Sequence, residues 1–268
     1  MLTRMLEELG LFVGKKKQRN HEAKFFFHIN EWLFRQCGAS WDNPQIFRQL
    51  LDNRELRSSA IQYIRFLMNS PYVILFSGLR KYFHYRSPGN LPIPWGWKDP
   101  RNTYTLPLWL DIFPNAKVVH IYRHGVDVAQ SLRVRHERTL RHIINVTSLQ
   151  KILYWYIWIR RKRPLWLTVR CASLEGGISL WEEYLCQAKN CMDSLGERAI
   201  DLKYEDLLAE PVETLKSLSH FCGLSNPESV IKNVAGRAKK RRAYAYMSNP
   251  DLQEFALLIT DRLRLLGY

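Results

Sequence analysis

The sequence contains no apolar segment long enough to cross a bilayer and nothing that resembles a secretory leader. Its most apolar run, Ile152–Ile159, is much shorter than the ~20 residues that a membrane-spanning helix needs. The first ten residues alternate apolar and charged side chains, and three lysines, Lys15–Lys17, follow them. A signal peptide has a continuous apolar stretch instead. The sequence therefore predicts a cytoplasmic protein without a transmembrane segment.

Cysteine is scarce, with five residues at irregular spacings. They are Cys37, Cys171, Cys186, Cys191 and Cys222. The sequence has no Cys-x-x-Cys pair and no cysteine–histidine cluster at the spacing of zinc ligands. We therefore expect reduced, mostly buried thiols and no metal site.

Acidic residues are too few to balance the basic ones. The chain has 25 aspartates and glutamates against 40 lysines and arginines, which gives a net charge of +15. This excess favours an anionic partner, such as a nucleotide, a sulfated or phosphorylated ligand, nucleic acid or a membrane surface. A content of 46% hydrophobic and 13% aromatic residues supplies a core and excludes disordered and fibrous classes. No repeat or flexible linker divides the chain, so we expect one domain over residues 1–268.

The clearest local pattern is a strand, a tight turn and a helix. Ala116–Tyr122 is apolar and rich in β-branched residues, Arg123–Gly125 is the turn, and Val126–Arg135 has helical periodicity. Units of this kind build parallel α/β sheets. We also predict strands at Tyr72–Ser77 and Ala199–Tyr204. Helices are predicted over residues 2–9, 21–36, 43–68, 174–191, 212–222 and 250–266, and after the loop at residues 94–101.

The turn after the first of these strands is a candidate phosphate site. Arg123 stands at the carboxyl end of the strand, where the free N–H groups of the next helix point. Ser131 follows eight residues later, about two helical turns on, and shares a helix face with Asp127. In the alternative interpretation, Asp127 only caps the helix and Arg123 is solvated.

Two other segments carry candidate chemistry. Lys98 can neutralise charge on a transferring group, and Asp99 can act as a general base, although Asp-Pro is also a common helix start. Tyr204 ends a predicted strand, where an exposed ring can stack on a base. The basic segments Arg133–Arg141, Arg160–Arg163 and Arg237–Arg242 raise nucleic-acid binding as an alternative, but no helix-turn-helix, zinc finger or RNP motif accompanies them.

Together and in this order, these segments resemble the sulfotransferases that use 3′-phosphoadenosine-5′-phosphosulfate (PAPS). Arg123 and Ser131 match the family's Arg-x3-Asp-x3-Ser site for the 3′-phosphate of the donor. The segment at Tyr204 resembles the part that packs beside the adenine, and Trp97–Asn102 resembles a variant common in bacterial-type members. The resemblance covers most of the chain.

The resemblance implies one α/β domain around a parallel sheet, related to P-loop kinases. It implies PAPS as co-substrate, no metal, and transfer of a sulfuryl group to an acceptor hydroxyl or amine, which leaves adenosine 3′,5′-bisphosphate. Lys98 corresponds to the lysine that stabilises the departing phosphate, and Asp99 is the candidate base. Arg237 and Lys239 correspond to the family's C-terminal 3′-phosphate loop.

The resemblance also marks a difference at the amino terminus. Family members usually open with a strand and a basic, glycine-containing loop that holds the 5′-phosphosulfate, whereas Met1–Gly10 matches the helix after that loop. We therefore expect a truncated domain, without the central strand, that has little activity as given. A nucleotide-binding remnant that transfers nothing is the alternative.

The acceptor itself is left open by the sequence. Lipid, carbohydrate and small aromatic acceptors all fit it. Polar residues near Glu22 and on the helix with His28, Asn30 and Glu31 flank an acceptor pocket in the family arrangement, or form a solvated helix face. The segment at residues 149–166, with three tryptophans, is a lid, a membrane-surface helix or ordinary core.

Overall fold

The computed structural model describes residues 1–145, 147, 149–153, 156 and 168–268. The α-helices of the described residues are, in chain order, α1 (Leu2–Glu8), α2 (Lys24–Gln36), α3 (Arg48–Asp52), α4 (Arg54–Met68), α5 (Ile74–Tyr85), α6 (Asn102–Ile112), α7 (Gly125–Ile144), α8 (Leu174–Met192), α9 (Tyr204–Ala209), α10 (Pro211–Phe221), α11 (Glu228–Ala235), α12 (Pro250–Leu258) and α13 (Thr260–Leu265). The strands are β1 (Val118–Tyr122) and β2 (Ala199–Lys203). Among the described residues, no helix is both long and apolar enough to cross a membrane. The protein is a mixed α/β structure with a small parallel sheet.

The sheet pairs β1 with β2 in parallel, with Val118 opposite Ala199 and Tyr122 opposite Lys203. Both strands were expected from their apolar, β-branched sequences, and the structure confirms both. Side chains alternate between the two faces of a strand. On β1, Val119 and Ile121 pack against an apolar core cluster. The parallel pairing confirms the α/β class at the level of this small sheet.

The described chain separates into two compact units, each with its own packing. The first unit comprises Met1–Tyr122 and Gln187–Ala243, and the second comprises Arg123–Cys186 and Tyr244–Tyr268. In the first unit, buried leucines of α1 pack with apolar residues of α9, α10 and α11 and with the strands. This leucine-rich cluster fixes the sheet and the start of α9 at Tyr204.

A second cluster of the first unit is aromatic and lies under the segment that carries Lys98. Phe26 stacks on Trp97, with ring centroids 3.9 Å apart, and packs edge-on against Phe76 and Trp109. Trp109, Phe26 and Phe76 are almost completely buried. Because aromatic pairs add to the free energy of burial, this cluster holds the loop before α6 in a fixed position.

In the second unit, two glycines allow helices to approach closely at the start of α7. A Cβ atom on Gly177 of α8 would lie 2.9 Å from Cα of Ala129, closer than side chains pack. A Cβ on Gly125 would lie 2.8 Å from the ring of Trp181. Trp181 also donates from Nε1 to the backbone oxygen of Arg123 at 3.0 Å. The helix that follows Arg123 is therefore held by direct packing.

Some sequence predictions need correction. The strand predicted at Tyr72–Ser77 is wrong, because this stretch is a 3-10 turn (Pro71–Val73) followed by the start of α5. Val73 and Phe76, three residues apart, are its fully buried positions, which is a helical rather than a strand pattern. A short apolar run does not distinguish the two by periodicity alone.

Other boundaries also differ. The helix predicted over residues 43–68 breaks at Asn53, whose side chain accepts from the backbone N–H of Leu56 and caps α4. The last predicted helix is divided into α12 and α13. The five cysteines are free thiols, but only Cys171 is fully buried, so the expectation that most are buried is wrong. Most of the tryptophan-rich segment, including Arg160–Arg163, lies outside the described residues.

Candidate functional site

The candidate phosphate site begins where the chain leaves β1 and enters α7. Arg123 directly follows the last residue of β1, and α7 begins two residues later at Gly125. The predicted strand, turn and helix are confirmed, and α7 is longer than predicted because it continues to Ile144. The first N–H groups of a helix have no partners within the helix, so this start is suited to an anion.

Asp127 holds Arg123 and also a segment from the far end of the chain. Its carboxylate, with 3% of the side chain exposed, accepts from Nη2 of Arg123 at 2.7 Å. It also accepts from the backbone N–H groups of Ala245 at 3.1 Å and Tyr246 at 2.8 Å. Asp127 is therefore more than a helix cap. Sequence reasoning missed this role, because a contact with a residue 118 positions away leaves no local signal.

A groove in the second unit contains both predicted 3′-phosphate residues. It has a volume of about 560 Å³ and lies between α7 and the segment that leads into α12. Its lining comprises Arg123, Asp127, Gln130, Ser131, Val134, Arg135, Arg138, Ala245, Tyr246, Ser248, Asn249 and Leu252. We call it the α7 groove. The eight-residue spacing of Arg123 and Ser131 thus places both side chains on one cavity, as a shared site requires.

The buried side chain of His124 packs against the wall of the α7 groove. Its ring stacks on Tyr246, with centroids 4.3 Å apart, and meets Tyr268 edge-on. Burial lowers the pKa of His124 to about 4, and the nearby Arg123 acts in the same direction, whereas Asp127 opposes it. The imidazole is therefore neutral at physiological pH, and it supports the groove by packing rather than by charge.

This pKa predicts a pH-dependent stability. The unfolded chain protonates the histidine near pH 6.5, but the folded protein does so only near pH 4. Because the unfolded state binds the proton first, the contribution of His124 to stability is lost as pH falls from 6.5 towards 4. We expect the melting temperature to drop more between pH 7 and pH 5 for the parent than for His124→Phe, measured by circular dichroism. Equal drops in both proteins would contradict this origin.

In the first unit, Lys98 is paired with Glu22. Nζ of Lys98 donates to Oε1 of Glu22 at 2.9 Å, and the lysine side chain is 41% exposed while the glutamate is 10% exposed. The ammonium group is therefore fixed by its ion pair with Glu22, while part of the lysine side chain remains accessible to solvent. Sequence reasoning placed Glu22 near an acceptor pocket but did not identify it as the partner of Lys98.

Asp99 lies in a buried polar network of the first unit. Its Oδ1 accepts from the backbone N–H and Nε of Arg101, and its Oδ2 accepts from Nη2 of Arg101 and Nδ2 of Asn30. Only 1% of the Asp99 side chain is exposed. Asn30 in turn accepts from Thr105 and Trp109. Asn30 is thus a buried link between α2 and α6 rather than part of a solvated face.

The remaining candidates of the first unit lie apart from that network. Tyr204 begins α9 and is half-buried, with its hydroxyl 4.0 Å from the sulfur of Met1. Arg237 is exposed and pairs with Glu8 at 2.6 Å. Lys239 is exposed and precedes the 3-10 turn Lys240–Arg242. Because both side chains are exposed, Arg237 and Lys239 are accessible to an anionic ligand.

A comparison with models of known protein families gives a match over most of the chain. The family model described as the sulfotransferase family matches residues 15–228, which is well over half of the chain. No curated protein and no solved structure matches the chain significantly. The matched range contains Lys98, Arg123, Ser131 and Tyr204. The chain belongs to the sulfotransferase family.

Proposed function

We propose that the protein binds PAPS through the α7 groove and transfers its sulfuryl group to an acceptor hydroxyl or amine. The observation that carries the proposal is the presence of Arg123 and Ser131 on one cavity, next to the start of α7. Family membership supports sulfuryl transfer as the reaction class. The location of Arg123 and Ser131 supports a nucleotide 3′-phosphate as the group that the cavity holds.

The chemistry of the groove suits a phosphate. A guanidinium group presents a planar fork of donors that matches phosphate oxygens, and a serine hydroxyl adds a neutral donor. The hydrogen bond from Nη2 of Arg123 to Asp127 fixes the guanidinium group, and the Arg123 side chain, 27% exposed, stays accessible. The site is therefore organised before the ligand arrives, which lowers the entropic cost of binding.

In the proposed reaction the bond between sulfur and the bridging oxygen of the donor breaks, and a bond between sulfur and the acceptor atom forms. The electron pair stays on the departing 5′-phosphate, and the acceptor gives its proton to a base. Lys98 is proposed to stabilise the charge on the departing phosphate. Its accessible ammonium group, anchored by Glu22, suits this role.

Two carboxylates are candidates for the base. Asp99 was proposed from the sequence, but both of its oxygens already accept bonds from Arg101 or Asn30. Glu22 uses Oε1 for Lys98, and within the described part of the chain its Oε2 has no hydrogen-bond partner. A base needs a lone pair that can reach the acceptor's proton. We therefore propose Glu22 as a second candidate beside Asp99.

The rest of the proposal follows the family resemblance. It includes a P-loop-kinase-like sheet, one sulfotransferase-like domain over residues 1–268, adenine beside Tyr204, and contacts from Arg237 and Lys239 to the 3′-phosphate. The exposure of Arg237 and Lys239 is compatible with this role. The cytoplasmic location and the absence of a metal requirement stay predictions.

Calorimetric titration with two nucleotides tests the proposal. Adenosine 3′,5′-bisphosphate should bind, and adenosine 5′-monophosphate, which lacks the 3′-phosphate, should bind about 10–100-fold more weakly, since hydrogen bonds to charged groups contribute about 1.5–3 kcal/mol. Equal affinity for the two nucleotides, or no binding of the bisphosphate to folded protein, would contradict the proposed donor site. Binding without release of the bisphosphate from PAPS would favour the alternative, a nucleotide-binding protein that transfers nothing.

A further inference from the structure

The α7 groove carries more positive charge than one phosphate requires. Beyond Arg123 and Ser131, its lining includes Arg135 and Arg138, both exposed. Among the lining residues that the structure describes, Asp127 is the only carboxylate, and Arg123 already pairs with it. In the described part of the chain, no carboxylate of the groove therefore compensates the guanidinium groups of Arg135 and Arg138.

These two arginines lie on one face of α7 with Ser131. They follow Ser131 by four and seven residues, which is the spacing of one helix face. With a rise of 1.5 Å per residue, Arg135 and Arg138 lie about 6 and 10 Å along the axis from Ser131. The positive stripe thus continues along the groove, away from the start of the helix.

The helix gains no stability from these charges. Arg133 and Arg141, on the same helix, both face Glu137 at 3.9 and 3.5 Å. Arg135 and Arg138 have no ion pair with any residue in the described ranges, and like charges three positions apart on a helix repel each other. Like charges that lower the stability of a helix without a compensating contact are typical of a functional site.

We propose that Arg135 and Arg138 form a second oxyanion subsite in the α7 groove, which binds sulfate ester groups of a polysulfated carbohydrate. Deepening the proposed function, this inference rests on the assignment of Arg123 and Ser131 to the nucleotide. A free anion would gain little from two exposed guanidinium groups, because water and salt screen them. A ligand with several linked sulfates engages both at once.

The groove suits a sulfated sugar better than nucleic acid. Proteins that bind single strands stack the bases on aromatic side chains. Tyr246 is the aromatic residue of the groove lining, and its ring already stacks on His124 at 4.3 Å. The other wall offers Ser248 and Asn249, whose polar side chains suit hydroxyl groups.

The test uses sucrose octasulfate, a compact polysulfated sugar, and the full chain. We expect the double variant Arg135→Ala/Arg138→Ala to bind it about 10-fold more weakly, because two charge-assisted contacts are lost. The matched control Arg141→Ala/Arg264→Ala removes the same net charge from exposed positions of the same unit that lie outside the groove lining, and it should change the affinity less than about 3-fold. All four side chains are partly or fully exposed, so the variants should remain folded, which circular dichroism checks.

Two further measurements distinguish a sulfated carbohydrate from a free anion and from nucleic acid as the ligand of the subsite. Inorganic sulfate should compete no better than sodium chloride at equal ionic strength; specific competition at low millimolar concentration would overturn the choice of an esterified ligand. Equal losses in the two double variants would overturn the subsite, since only net charge would matter. Single-stranded oligonucleotide binding that depends on Arg135 and Arg138, with no binding of the octasulfate, would overturn the carbohydrate.

A parallel titration with adenosine 3′,5′-bisphosphate keeps the two proposals distinguishable. Both double variants should bind it within about 3-fold of the parent, because their substitutions leave Arg123 and Ser131 intact. If the bisphosphate fails to bind while the octasulfate still depends on Arg135 and Arg138, the donor assignment is wrong and the subsite stands. The reverse result removes the subsite and leaves the donor assignment.

Discussion

Replacing Arg123 by alanine is expected to weaken the binding of adenosine 3′,5′-bisphosphate about 100-fold. Truncating one partner of a hydrogen-bonded charge pair costs about 2–5 kcal/mol, and each 1.4 kcal/mol is about a factor of ten in affinity. Ser131→Ala removes a neutral donor instead, worth about 0.5–1.5 kcal/mol, and should weaken binding up to about 10-fold. Isothermal titration calorimetry measures both effects.

The Arg123→Ala protein should still fold, but with reduced stability, because the buried Asp127, 3% exposed, loses its counter-charge. Asp127 loses one partner but keeps the N–H groups of Ala245 and Tyr246, so its carboxylate is still hydrogen-bonded. Arg141→Ala is the matched control, because Arg141 lies on the same helix with its side chain 77% exposed and, among the described residues, pairs with Glu137 alone. Bisphosphate affinity equal to that of the parent in Arg123→Ala would remove the donor assignment. Equal losses in both variants would reduce the effect to net charge.

Local sequence patterns predicted the elements whose conformation is determined by residues close together in the chain. The β-branched run before Arg123 and the periodic segment after it predicted β1 and α7, because strand and helix periods differ. The same reasoning failed at Tyr72–Ser77, where burial by distant aromatic rings selects a helix. Helix breaks such as that at Asn53 depend on a single cap and were missed for that reason.

In the candidate site, too, local spacing was predictable from the sequence and contacts between distant segments were not. Arg123 and Ser131 were predicted together, because their separation is a property of one turn and one helix. Contacts between distant segments were not predictable: Asp127 with the segment at Ala245, Lys98 with Glu22, and Asp99 with Asn30. Each pair is created by tertiary packing, and a single sequence carries no signal for its partner.

Removing the Asp99 carboxylate should destabilise the protein more than any other single change proposed here. Asp99→Ala leaves Arg101, which is 10% exposed, without its counter-charge, and breaking a buried pair in this way costs about 3–5 kcal/mol. In a chain of this size that corresponds to a drop in melting temperature of about 10 °C. The matched control is Asp111→Ala. Asp111 also accepts two bonds from an arginine, Arg57, but is 35% exposed, so its loss should cost at most about 1 kcal/mol.

Comparable costs for Asp99→Ala and Asp111→Ala would contradict a structural role for Asp99 and favour its role as base. The milder variants Asp99→Asn and Glu22→Gln then separate the two candidate bases, with hydrolysis of PAPS to adenosine 3′,5′-bisphosphate and sulfate, in which water is the acceptor, as the readout. Loss of a general base lowers the rate about 10²–10⁴-fold. Because Glu22→Gln keeps an oxygen for Lys98, we expect it to lower this rate without changing the melting temperature. A rate lost in Asp99→Asn at unchanged stability, and kept in Glu22→Gln, would instead assign the proton transfer to Asp99.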